Sequence, residues 1–471
     1  MSDLATTTSW DATAADPETD DAVLTFVVLA SVGDPERVGE SAPLEKGSGP
    51  WVLGRQGSLP WRRRRPGRAE PTGPIGDRRL SREQLAIAWQ RSRIEVTNMG
   101  RLPLRLNGQP VEACTVAPGD LLDVGGRLLL YVTLHPADLP DVPADHPWGR
   151  ADDVGLVGES PSAWTLRERI RFLGRREAHV LVLGPSGVGK ELVVSGLHGV
   201  SRRARRPMVS RNAATIPESL ADAELFGNLQ GYPNPGMPGR PGLVGEADGT
   251  VLFLDEFGEL PLDVQARLLR VLDDGEYSRL GEARPRRSDL RLIAATNRAP
   301  ETLKHDVLAR FPLRLEVPPL EQRREDIPLI AAHLLRRIAR TDPEVARRAF
   351  PDGDVDRPPR LSVGLVQQLV ARTYHTHVRE LETLLWQSLT DMSEEGRLKP
   401  VEPGVAMPVP AVSVQSGPTD PSTLDPEHVQ RVLDRHGGAQ EPTWKELGLA
   451  NRYVLSRLVK KHDLKVRGRG R

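Results

Sequence analysis

One cysteine in 471 residues, Cys114, leaves no partner for an internal disulfide. That scarcity fits a reducing cytosol, and Cys114 is read as a small core residue. Long hydrophobic runs are missing too: no stretch of about 18 apolar residues occurs, which excludes a membrane-spanning helix on sequence grounds. No charged-then-apolar leader opens the chain, so a soluble, cytoplasmic protein with no membrane partner is expected. Internal repeats are also absent. Basic residues do not occur in the first 36 positions, which carry eight acids. The final 21 positions reverse this balance, with eight bases against Asp463 alone. The 64 basic and 64 acidic residues cancel overall, but a basic C-terminal segment suits a polyanion such as DNA.

At roughly 150 residues per domain, the length allows about three domains. Two proline-rich polar stretches, 136–153 and 398–422, read as linkers because proline removes backbone donors and stops helices. They set the expected boundaries: a disordered acidic tail at 1–20, a strand-rich domain at 21–135, a central domain at 154–397 and a helical, basic segment at 423–471. Strands are expected at Val23–Leu29, Trp51–Gly54, Ile94–Thr97 and Leu128–Val132, with turns at Asn107-Gly108 and Pro118-Gly119-Asp120. The central domain alternates short apolar strands with helical stretches, the pattern of a helix-covered parallel sheet.

In the central domain, Val180–Leu183 runs into GPSGVGKE, comprising Gly184, Pro185, Ser186, Gly187, Val188, Gly189, Lys190 and Glu191. Glycines there let backbone N–H groups face a phosphate, and Lys190 can reach the β- and γ-phosphates. The Ser or Thr that usually follows the lysine is missing; Glu191 replaces it. Further on, VLFLDE ends a buried strand in Asp255 and Glu256, one carboxylate suited to a Mg²⁺ shell and one to polarising a water. Each pattern has a bland structural explanation alone, and together they point to ATP.

The surrounding residues carry a resemblance. VGES (157–160), RNAATIPESLADAELFG (211–227), the run from Gly249 to Gly281, RLIAATNR (291–298), PPLEQRREDIP (318–328) and HVRELETLL (377–385) resemble the AAA+ domain of sigma-54-dependent transcriptional activators. In that family Glu after the P-loop lysine is ordinary. The resemblance implies Lys190 as the Walker A lysine and Asp255 and Glu256 as the Walker B pair. It implies Asn212 as the residue that holds the catalytic glutamate, Thr296 and Asn297 as sensor I, and Arg379 as the sensor II arginine. Arg310 falls on a trans-acting arginine finger, which requires a ring, a hexamer or a related oligomer. A second finger-region arginine is replaced by Lys304, a point charge without the guanidinium fork.

The largest departure is in the loop that the family uses to contact sigma-54. In place of G-A-F-T-G-A stand Gly231, Tyr232, Pro233, Asn234, Pro235 and Gly236. Two prolines fix φ and remove two donors, so the family's hydrogen-bonded turn is not expected. Either Tyr232 replaces the phenylalanine and the loop still touches sigma-54 RNA polymerase weakly, or ATP cycling drives something else. Reduced or lost remodelling is the reading favoured here; a regulator that uses nucleotide only as a structural or oligomerisation ligand is the alternative.

WVLGR (51–55) and RRLSREQLAI (78–87) resemble a forkhead-associated (FHA) domain, a β-sandwich that binds phosphothreonine. The resemblance implies Arg55, Ser81 and Arg82 as phosphopeptide contacts and a phosphorylated protein or Ser/Thr kinase as partner. Gln84 stands where the family has His, and its Ser-x-Asn-Gly is replaced. Arg62–Arg65, within the long connection 56–79, is read as a solvated, disordered loop, the alternative being a phosphate-attracting rim. At the other end, LDPEHVQRVLDRHGG (424–438), TWKELGL and ANRYVLSRLVKKHDL are similar to a Fis-type helix-turn-helix. The last helix would place Arg452, Arg457, Lys460 and Lys461 toward an enhancer-type DNA site. The expected architecture is therefore multidomain: an all-β FHA sandwich, an α/β AAA+ ATPase with a helical lid from about residue 321, and an α-helical helix-turn-helix.

Overall fold

A computed structural model of the chain describes residues 22–65, 68–137, 146–232, 234–303, 305–390 and 396–400, with isolated positions 429, 430, 433, 443 and 459. Chain contacts divide it into two units, Met1–Val401 and Glu402–Arg471. The acidic tail, Pro233, Lys304, Arg452, Arg457, Lys460 and Lys461 lie outside the described residues. In the second unit the five described positions are helical, and Val429, Leu433 and Thr443 are buried. Among the described residues no helix is long and apolar enough to cross a membrane.

The first unit opens with twelve strands. These are β1 (Ala22–Ser31), β2 (Ser41–Pro43), β3 (Trp51–Leu53), β4 (Arg62–Arg65), β5 (Arg68–Pro71) and β6 (Leu85–Gln90). Then come β7 (Arg93–Asn98), β8 (Leu104–Leu106), β9 (Gln109–Val111), β10 (Ala113–Val116), β11 (Leu121–Val124) and β12 (Leu128–Pro136). They form an eight-stranded sheet, β5-β4-β2-β1-β12-β11-β8-β9, and a four-stranded sheet, β10-β7-β6-β3. Phe26, Val28, Trp51, Ile87, Val96 and Leu130 belong to the core of this β-rich region.

The arginine run is not a disordered loop. Arg62–Arg65 is β4, paired antiparallel with β5. Buried Leu59 and Trp61 lead into the strand, and Arg63 is fixed by the Glu40 carboxylate at 2.9 Å. Glu40 is fully buried and also accepts from Arg37 and the Thr72 hydroxyl, so burial of this carboxylate recruits the arginine.

The central region begins with α1 (Pro161–Gly174), β13 (Val180–Leu183), α2 (Lys190–Gly199), β14 (Val209–Asn212), α3 (Ala221–Phe226) and α4 (Gly242–Glu246). It continues through β15 (Val251–Asp255), α5 (Leu262–Asp274), the short pair β16 (Glu276–Tyr277) and β17 (Arg286–Arg287), β18 (Arg291–Thr296), α6 (His305–Ala309) and β19 (Leu313–Glu316). Five strands make an all-parallel sheet, β14-β15-β18-β13-β19. Val180–Val182, Val251–Leu254 and Leu292–Ala295 are buried, which explains why their sequences are apolar throughout rather than alternating. A helical lid follows: α7 (Ile327–Ala339), α8 (Pro343–Ala349), α9 (Val363–Ala371) and α10 (His377–Ser388).

The β-rich region and the lid share one core. Leu29, Leu121 and Leu129, on the face of the large sheet away from the sandwich interior, are buried with Leu329, Ile330, Val366 and Leu369 of the lid. Strands β1 and β12 are thus covered on both faces, the physical reason for runs such as TFVVLA and LLLYV. Each leucine buried in this way stabilises the docked arrangement by about 1.5–3 kcal/mol. A polar clasp accompanies it: His135 at the end of β12 meets Glu325 at 2.9 Å, both side chains buried.

Two linker boundaries need correcting. Pro136 still belongs to β12, and residues 146–153 are packed rather than free. His146 stands edge-on to Trp164, with ring centroids 4.4 Å apart, and bonds Glu159 at 3.0 Å, while Asp152 accepts from Arg167 at 2.9 Å. At the second boundary Leu398 is fully buried in the lid core and bridges to Leu361, so the compact region extends past residue 397.

Candidate functional site

Strand β13 ends in the glycine-rich turn, and Gly184, Gly187 and Gly189 have φ of 153°, 76° and 106°. Gly189 caps α2, whose first turn carries Glu191. Lys190 is 7 % exposed, and its Nζ donates to the Gly184 and Pro185 carbonyls at 2.9 and 3.3 Å. Beside it β15 delivers Asp255, and the chain turns through Glu256 at φ 48°, ψ 43°, a left-handed conformation for a residue with a side chain. Such a backbone costs about 1–3 kcal/mol. Strand β18 pairs with β13 so that Thr296 lies opposite Leu183. The Thr296 carbonyl accepts from Gly184 N at 3.3 Å, placing exposed Asn297 at the same sheet edge.

Burial pulls the Lys190 ammonium below its ordinary value, opposed by Glu256 and Asp255. Burial also pushes the Glu256 carboxyl up, opposed by Lys190 and by the Asn297 backbone N–H. Lys190 and the two carboxylates are thus near enough for each charge to act on the other. If Glu256 must be ionised to accept a proton, activity is lost as pH falls through its raised pKa. The acid limb of kcat/KM, which reports the free enzyme, is then expected above the ordinary glutamate value of about 4.3. A limb at or below that value in a pH–rate profile would count against this.

Asn212 does not hold the glutamate here. The parallel register of β14 and β15 pairs Asn212 with Asp255, and its Nδ2 donates to Asp255 Oδ2 at 3.3 Å. Its Oδ1 accepts from Ala214 N at 2.9 Å. Glu256 lies one residue beyond the strand, out of that register.

The lid closes directly on the turn. His377, at φ 44°, starts α10 so that Val378 N donates to the Gly187 carbonyl at 3.1 Å. Arg379 Nη1 donates to Ser186 Oγ at 3.1 Å. A Cβ on Gly187 would stand 2.2 Å from the Thr376 carbonyl oxygen. Gly187→Ala is therefore expected to displace the lid and weaken ATP binding by more than about tenfold, measured by equilibrium nucleotide titration.

The motif reading assigned no role to the segment EQRRED, Glu321–Asp326, which ties the parts together. Glu321 accepts from Tyr374 N at 2.9 Å and faces His377 at 3.4 Å. Arg323, buried, donates to the Val188 carbonyl within the glycine-rich turn at 3.1 Å. Glu325 takes His135, and Asp326 accepts from Glu159 N, Ser160 N and Ser160 Oγ at the start of α1. Burial raises Asp326 to about 6 despite those donors. The sequence signal was available: five charged residues in six, beside strongly apolar helices, ask where their charges are paired.

Arg310 stands apart from this pocket. It follows α6, is exposed, and forms an ion pair with Asp273 at the end of α5. The described residues of the loop at 227–241 are tied together by hydrogen bonds. Asn228, 2 % exposed, donates its amide to the carbonyls of Leu229, Tyr232 and Pro238. Gly231 N donates to Met237 O at 2.7 Å, and the Tyr232 ring lies against Gly281 while remaining 44 % exposed. In the β-rich region Arg55 is exposed, with Nε on the Leu80 carbonyl at 2.8 Å; Ser81 Oγ accepts from Arg101 N at 3.1 Å, and Arg82 is exposed. Gln84 is buried and donates to Asn98 Oδ1 and Leu102 O at 2.8 and 2.9 Å.

The sigma-54 interaction domain matches residues 156–320. Transcriptional regulatory protein ZraR of Salmonella typhimurium is 33 % identical over 323 residues, covering 67 % of this chain and 70 % of that protein. The chain belongs to the sigma-54-dependent transcriptional regulator family. Within that family, the Nif-specific regulatory protein of Azotobacter vinelandii is 34 % identical over 320 residues, covering 64 % of this chain and 58 % of its own length. The solved structure of NtrX from Brucella abortus in complex with ATP shares 26 % identity, covers 67 % of this chain and 70 % of its own, and superposes with a TM-score of 0.46. The family's central domain is an AAA+ ATPase domain, and here it carries the pocket just described.

Proposed function

We propose that this chain is an ATP-hydrolysing transcriptional regulator whose contact with sigma-54 is reduced or lost. The observation that carries the nucleotide assignment is the meeting of two halves of one pocket. Lys190 opens α2 and Asp255, Glu256 and Asn297 stand at the ends of neighbouring strands, while Arg379 reaches Ser186 from the lid. The backbone N–H groups from Gly184 to Gly189 and Lys190 would hold the phosphates, with Asn297 and Arg379 reading the terminal one. Asp255 and Glu256 fit a Mg²⁺ that arrives with nucleotide: such an ion keeps waters and phosphate oxygens and needs only one or two carboxylates. No cluster of three or more metal-ligating side chains, which would cage a metal without nucleotide, occurs among the described residues. Bound Mg²⁺ would neutralise charge on the β- and γ-oxygens. Glu256 would take the proton of the attacking water, and Asn212, on Asp255, would orient the acidic pair. Arg310 from a neighbouring subunit would complete the site in a ring, a hexamer in this reading.

The exposed Arg55, Arg82 and Arg101 around a half-buried Ser81 support an FHA module receiving a phosphorylated partner, through Ser81 and the guanidinium groups. The basic C-terminal segment, with Arg452, Arg457, Lys460 and Lys461, is assigned to enhancer-type DNA. Loss of remodelling rests on the loop. Its carbonyls are occupied by Asn228 and its one aromatic lies against Gly281, in place of a projecting Phe-Thr pair.

The purified chain is expected to hydrolyse ATP and yet, when trapped with ADP and aluminium fluoride, to form no stable complex with sigma-54 on native gels. Replacing 231–236 by Gly-Ala-Phe-Thr-Gly-Ala is expected to restore the complex. A stable complex with the parent loop would overturn the loss of contact, and absence of turnover would overturn the ATPase assignment.

A further inference from the structure

A cavity of about 90 Å³ lies where the β-rich region, the segment after β12 and the lid meet. That is about three times a water's share of liquid volume. Its apolar walls include Leu29, Leu329 and Val366. Three polar groups on its lining are poorly satisfied. Ser31 is 5 % exposed and its buried hydroxyl has no partner; the buried Trp148 Nε1 has none either. Arg336 of α7 spends only Nε, on the Val355 carbonyl at 3.2 Å. Burial and neighbouring Arg150 lower Arg336 to about 10, against the pull of Asp356 and of Glu36, whose carboxylate also lines the cavity. With Arg150 and Arg397 the lining carries three guanidinium groups against that one carboxylate.

The indole and guanidinium can only donate, and the hydroxyl can also donate. A molecule that satisfies all three must accept hydrogen bonds, and one that balances a lining of three guanidinium groups and one carboxylate must be negative. The walls require the remainder to be apolar, and the volume requires it to be small. We infer that this cavity is an effector site for a small anion that joins a carboxylate or phosphate group to a short apolar body. Ser31 comes from β1 and Arg336 from α7, so an occupant bridges the β-rich region and the lid and stabilises their docked arrangement. Binding itself does not depend on the proposed function; any effect on hydrolysis rests on that reading, because the lid carries Arg379.

The test is calorimetric titration of the full-length chain carrying Lys190→Ala, which removes phosphate binding at the glycine-rich turn. The probes are butyrate, inorganic phosphate, butanol and butylamine. Saturable binding of an anion is expected, with butanol and butylamine silent and Kd at least about tenfold weaker in Arg336→Gln. Tighter butyrate assigns a carboxylate ligand, and tighter phosphate a phosphoryl one. If Arg336→Gln fails to fold, Ser31→Ala and the cavity-filling Ala332→Leu decide, each expected to weaken binding. Silence of both anions, equal affinity in the variants, or equal binding of the uncharged and cationic probes would overturn the site.

Discussion

Glu256→Gln is expected to bind ATP with near-parental affinity and to hydrolyse it about 10²–10⁴-fold more slowly. The amide keeps the volume of the side chain and its place at φ 48°, so the pocket wall is preserved. What it loses is the ability to take a proton from water. It also loses the charge that Lys190 faces across the pocket, and a neutral residue there removes the repulsion toward incoming phosphates. Single-turnover hydrolysis with pre-bound ATP separates the two effects: tight retention with slow cleavage supports the assignment. Cleavage at the parental rate would remove Glu256 from the chemistry, and Asp255 would have to be reconsidered.

Arg310→Ala is expected to lower turnover about 10³-fold or more, the range associated with an arginine finger acting across a subunit boundary. Among the described residues the Arg310 side chain pairs with Asp273, and no ion pair joins it to Lys190, Asp255 or Glu256. Loss of that exposed ion pair alone is a small effect, about 0–1 kcal/mol, and leaves the fold intact. Mixing makes the prediction specific. Arg310→Ala subunits bring an intact nucleotide pocket without a finger, and Lys190→Ala subunits bring a finger without a working pocket. Together they are expected to recover activity that neither has alone. Failure to recover, with both variants folded and assembled, would mean that Arg310 acts within its own subunit or not at all.

The nucleotide pocket was legible because its residues sit in contiguous words. GPSGVGKE and VLFLDE each carry a strand, its end and the chemistry beyond it. The parallel order that places Thr296 beside Leu183 follows from apolar strands alternating with helices. Contacts between distant segments were not legible. Nothing local indicates that Arg323 reaches Val188, that Glu325 faces His135, or that Asn212 falls opposite Asp255 rather than Glu256. The last depends on a register of one residue, which a strand pattern cannot fix. The arginine strand β4 was misread for a related reason. Four consecutive arginines suggest solvent, whereas the buried Glu40 that holds one of them is more than twenty residues away. The two-sided burial of β1 was written in its sequence as a run without alternation.

That last property constrains heredity as well as stability. Regulators assembled from interchangeable heads and engines can trade one head for another by recombination in the stretch between them. Here such an exchange would strip the cover from Leu129 and Leu329 together and leave Glu325 buried without His135. A foreign head would have to bring a matching sheet face and a matching histidine. The coding regions for β1, β12 and α7 are therefore expected to be inherited as one block, with changes at one side answered by changes at the other.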